Sequence, residues 1–143
     1  MTMTAERQSN IERRIRMLGI AMIAVLLLQI LVGMANTLWL GIPDDPNNLD
    51  AFVNMGLLSA HMWVGTALAV LGIWIPVDAF RVRNMPWLAV SVTGLAAVTA
   101  AFAAGGLFLS SAGDNDAASF AMASACVIAL AAYLVPYLRQ SAA

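Results

Sequence analysis

Four predominantly apolar runs, at residues 17–40, 51–77, 86–110 and 117–138, divide this chain. Each is long enough to cross a bilayer, because about 20 helical residues at ~1.5 Å rise span the ~30 Å hydrocarbon core. A backbone inside lipid must satisfy its own polar groups, so an apolar run of this length is read as a helix. The alternative is a soluble core, and composition excludes it. Of 143 residues, 62% are hydrophobic and 10% charged, whereas a soluble domain carries about 25% charged residues. The expected fold is therefore all-α. It is a single four-transmembrane-helix bundle over residues 17–138, with a polar tail at 1–16 and a short one at 139–143.

The charges order these spans. All seven basic residues are arginines. Arg7, Arg13, Arg14 and Arg16 precede the first run, Arg81 and Arg83 lie between the second and third, and Arg139 follows the fourth. With four spans these segments share one side of the membrane. The two opposite loops carry Asp44, Asp45, Asp50, Asp114 and Asp116 and no basic residue. The positive-inside rule then predicts a cytoplasmic N-terminus and C-terminus; the expected location is the plasma membrane of a bacterium or archaeon. A basic start before an apolar run is also the plan of a secretory signal. The first run exceeds a signal's apolar core, however, and three more spans follow, so the reading is an uncleaved first helix.

Along the first run Gln29, Gly33 and Asn36 fall at i, i+4, i+7 and share a face, which should look into the bundle because unpaired amides in lipid are costly. The second run places Asn54, His61, Gly65, Leu68 and Gly72 on one stripe. Trp74 and Pro76 mark its inner boundary, and Asp78 stands close enough to Arg81 to pair with it. The third is rich in small residues (Gly94, Ala97, Ala101, Ala104, Gly105), a surface for close helix packing. In the fourth, Tyr133 and Tyr137 are expected towards the cytoplasmic interface. GIPDDPNNLD (41–50) and SAGDND (111–116) read as turns with helix caps.

Counting ~1.5 Å per residue puts His61 roughly 15 Å, Gln29 about 16 Å and Cys126 about 13 Å below the outer helix ends. Gln29, His61 and Cys126, with Asn36 and Asn54, thus form an expected intramembrane polar layer. Three readings of His61, the only histidine, stand open. It hydrogen-bonds a neighbour and fixes helix register; it ligates the iron of a haem b; or it lines a proton or solute path. Such a haem site would be five-coordinate, or take a second ligand from a methionine, Met122 first and then Met34, Met55 or Met62, or from the histidine of a second copy of the chain. A metal site without haem lacks donors, since there is no HExxH, no cysteine pair and no second histidine. No GxSxG or phosphate-loop pattern occurs. No basic cluster interleaved with aromatics points to nucleic acid.

Leu28-Gln29-Ile30-Leu31-Val32-Gly33, followed after a loop by Ala60-His61 and Gly65, resembles one helical hairpin of the haem A synthase family. The resemblance covers Gln29 to Gly65. It implies a helix with a Gln…Gly pattern next to a helix bearing a ligand histidine. The second histidine and the acidic companion that this family carries on a partner helix are absent here. The corresponding stretch reads Asp116-Ala117-Ala118-Ser119-Phe120-Ala121-Met122. Only His61 carries over as a ligand, and the synthase reaction does not carry over. The general look is that of small uncharacterised four-helix membrane proteins.

The expected function is that of a non-enzymatic accessory or assembly subunit of a larger membrane complex, with a respiratory complex as the candidate. Its partners would be the lipid bilayer and either other membrane subunits or further copies of itself. The alternatives are a haem-b electron carrier using His61 and a small-solute permease.

Overall fold

A computed structural model describes residues 5–36 and 56–141. The expected loop at 41–50, the ends of the first two spans that flank it, and the candidate Asn54 lie outside the described residues. Four helices follow one another: α1 (Ala5–Ala35), α2 (Gly56–Arg81), α3 (Met85–Ser110) and α4 (Asp116–Ser141). Each is long and apolar enough to cross a membrane. α1 packs on α2 and α4, α2 on α3, and α3 most extensively on α4. This ring of sequential neighbours is an up-down-up-down bundle, the arrangement short connections favour.

The buried positions show why the helices associate. On α1 they are Ile15, Gly19, Met22, Leu26 and Gln29. On α3 the series Trp87, Ser91, Gly94, Val98 and Ala101 repeats the same alternation of four and three. Leu68, Gly72, Ile75 and Ala79 do so on α2, as do Ala125, Ala129, Ala132 and Pro136 on α4. An apolar repeat near 3.5 residues per turn keeps one seam facing a neighbour along the whole helix, as in left-handed bundles. Glycines on these seams admit large rings. A Cβ at Gly94 would lie 2.5 Å from Tyr133 Cε2, and one at Gly19 would lie 2.6 Å from Tyr137 Oη and 2.8 Å from Trp87 Cη2. Trp87 and Tyr137 meet edge to face, with centroids 5.7 Å apart.

Three boundaries differ from those expected. Residues 5–16 are helical, α1 beginning at Ala5. Ile15 is fully buried and Arg14 is bonded to α2, so tertiary contacts extend the helix beyond its apolar run. α2 continues through Pro76 to Arg81; a membrane helix accommodates proline when neighbouring groups take up the freed backbone. α4 reaches Ser141, past the expected end at 138. Of the two tyrosines of α4, Tyr133 is fully buried against Gly94, while Tyr137 reaches α1 and donates its hydroxyl to Arg16 O at 2.6 Å.

The turns follow their local chemistry. Asn84 caps α3 by accepting from Trp87 N, and Asn115 caps α4 by accepting from Ala118 N at 2.9 Å. Both links pass through left-handed residues, Arg83 at φ 53° and Ala112 at φ 51° followed by Gly113 at φ 88°.

Candidate functional site

The α1–α2 seam holds the polar residues that the sequence singles out. Gln29 donates Nε2 to the main-chain oxygen of His61 at 2.8 Å. Each side chain rests on a glycine of the facing helix. A Cβ at Gly33 would lie 2.9 Å from His61 Cε1, and a Cβ at Gly65 would lie 3.1 Å from Gln29 Nε2. The arrangement is reciprocal, with a polar side chain and a glycine four residues later on both helices. Small residues allow close approach and interhelical hydrogen bonds hold it, which is how helices associate where lipid removes the usual hydrophobic drive. Asn36 extends the seam one turn, donating a longer bond of 3.4 Å to Leu57 O. Gln29 Oε1, Asn36 Oδ1 and His61 Nδ1 are buried without a hydrogen-bond partner among the described residues.

The other candidates sit elsewhere. Met122 turns its sulfur to α3, where a Cβ at Gly105 would lie 3.2 Å from Sδ. Cys126, on α4, is a free half-buried thiol and makes no hydrogen bond to Gln29 or His61. The layer estimated from depth alone is therefore, in its hydrogen-bonded part, a seam of two helices.

A haem held by His61 would need a ring nitrogen facing a space wide enough for a porphyrin. Both nitrogens instead lie close over Gly33, 3.5 Å (Nδ1) and 3.7 Å (Nε2) from where its Cβ would be. Neither of two cavities among the described residues, about 320 Å³ near Trp87 and about 30 Å³ near Leu68, is lined by His61. The residues as arranged do not fit a haem. The Gln…Gly and His…Gly pattern that carries the resemblance to haem A synthase is used here in packing.

A second polar site was only half legible. Asp78 is 0% exposed, and Arg14 grips it with two bonds, Nε to Oδ2 at 2.7 Å and Nη2 to Oδ1 at 2.5 Å. Arg81, the partner expected from sequence, stands further off at 3.6 Å. No spacing rule links residues 14 and 78; the clue available was an acid one turn inside the end of an apolar helix. Among the described residues no group of three or more His, Cys, Asp or Glu side chains could hold a metal ion.

The fold and these sites define a class: a four-helix bundle with four membrane-length spans, clasped by polar pairs between α1 and α2. No protein-family model, curated protein or solved structure matches the chain.

Proposed function

We propose that this protein is a small, non-enzymatic, multi-pass membrane subunit, with both termini cytoplasmic, that serves the stability or assembly of a larger membrane complex. The observation that carries the reading is the use made of His61. The one side chain with versatile acid–base and ligand chemistry is seated on Gly33, beside the bond that Gln29 gives to the His61 main chain, where it registers two helices. Asp78, the buried acid, is likewise engaged, by Arg14. A chain whose reactive groups are spent on internal clasps acts through the surface it presents to other membrane proteins.

The test is purification of the tagged chain at native expression in a mild detergent, with quantitative identification of what accompanies it. A membrane partner in fixed stoichiometry supports the reading. A stable monomer recovered alone overturns it.

A further inference from the structure

We infer that the arginine-bearing end of the bundle holds a binding site for the phosphate headgroup of an anionic phospholipid, between α1, α3 and α4. The site is a cavity of about 320 Å³ lined by Glu12, Ile15, Arg16, Asn84, Trp87 and Arg139, with Pro86 and Pro136 completing the wall. A volume of this size is at the lower end of small-molecule sites.

Its chemistry is divided by depth. The floor is apolar, with Ile15 and Trp87 almost wholly buried. The rim carries Arg16 and Arg139, both exposed. Those guanidinium groups differ from their neighbours in what they do. Arg14 and Arg81 are drawn to Asp78, whereas Arg16 and Arg139 have no ion pair among the described residues. Glu12 is the only acid lining the cavity, which leaves a net positive charge facing it. The N-terminus of α3 opens onto the same space. Its first N–H groups are engaged, Trp87 N by the Asn84 side chain and Leu88 N by Asn84 O, so it contributes its dipole, which favours an anion.

The position selects a lipid. Arg16 immediately precedes the first apolar run and Arg139 immediately follows the last, so the rim lies at headgroup depth and the floor just below. A phosphodiester meets the guanidinium pair, for which arginine's planar fork is suited, and the upper acyl chain meets Ile15 and Trp87. Basic pockets between membrane helices are the sites that retain such lipids. The inference does not depend on a partner complex.

The experiment is native mass spectrometry of the full chain in detergent, titrated with phosphatidylglycerol or phosphatidylcholine. Phosphatidylglycerol should bind in preference. The double variant Arg16→Ala/Arg139→Ala should bind it about 25-fold more weakly, about fivefold for each guanidinium. The double variant Arg7→Ala/Arg13→Ala removes equal charge from exposed positions outside the cavity and should bind as the parent does. Equal retention of the two lipids, or equal losses in both double variants, overturns the site. Displacement of phosphatidylglycerol by millimolar inorganic phosphate overturns the lipid assignment in favour of a soluble phosphate.

Discussion

Gln29 and His61 each rest on the glycine that lies four residues beyond the other. Gln29 covers Gly65, and His61 covers Gly33. Because α1 and α2 run antiparallel, the same i, i+4 spacing on both helices brings the two pairs into register. The bond from Gln29 Nε2 to His61 O then closes the seam. The features that draw attention to His61 as a ligand are thus the features that a tight helical hairpin needs.

Adding a methyl group at Gly33 tests this directly. Gly33→Ala places a carbon 2.9 Å from the imidazole, and overpacking of this kind costs about 1–3 kcal/mol. In a His61→Ala background the penalty should largely vanish, giving a clear coupling energy in a double-mutant cycle read by denaturation in mixed micelles. An undiminished penalty would show that Gly33 meets something other than the ring. The same His61→Ala protein carries an optical test. Parent and variant, from cells supplied with haem, should both lack a Soret band, and a band lost only in the variant would revive the haem reading.

The Arg14–Asp78 pair should be asymmetric under mutation. Arg14→Ala leaves a carboxylate that is 0% exposed with only Arg81 at 3.6 Å. Stranding a buried charge costs about 3–5 kcal/mol. Arg14 is 55% exposed, so water and Arg81 should reduce the loss to about 2–3 kcal/mol. Asp78→Asn removes the buried charge itself and returns Arg14 to water, at a cost of about 1 kcal/mol. Equal losses in the two variants would contradict this assignment.

Tyr133→Phe should leave stability unchanged or raise it by up to about 1 kcal/mol. The hydroxyl is buried with no hydrogen-bond partner among the described residues, and such a group carries an uncompensated desolvation cost. A loss beyond about 1 kcal/mol would reveal a partner, a bound water included.

Reporters fused to the two ends should fall on the same face of the membrane, the cytoplasmic one. Tyr137, near the end of α4, bonds Arg16 in the N-terminal half of α1, and the arginines precede the first apolar run, lie between the second and third, or follow the last. Retention of lysine- and arginine-bearing segments in the cytoplasm sets the sidedness. Opposite faces would break the four-span topology, and a shared outer face would break the charge argument alone.

The polar seam was legible as a face but not as a geometry. Gln29, Gly33 and Asn36 on one helix, and His61 and Gly65 on the next, are visible from helical period alone. Their depth placed Cys126 at a similar level, yet depth says nothing of azimuth. The azimuth of α4 is set by its own seam, on which Ala125, Ala129 and Tyr133 are buried while Cys126 is half-exposed. The burial of Tyr133 was hidden for a related reason. Tyrosine near a span's end ordinarily anchors at the headgroups, but the absence of a side chain at Gly94 makes room for the ring inside.

By itself, then, the sequence determined the all-helical fold, the number of spans and the segregation of arginines to one end. These follow from the cost of exposing backbone or charge to lipid, which each segment meets on its own. Tertiary structure alone decided that Arg14 rather than Arg81 grips Asp78 most closely, that His61 faces Gly33, and that Arg16 and Arg139 border one cavity. Those outcomes depend on how the helices are rotated and set against one another. That is a property of seams filled jointly by residues far apart in the chain, and no segment contains it alone.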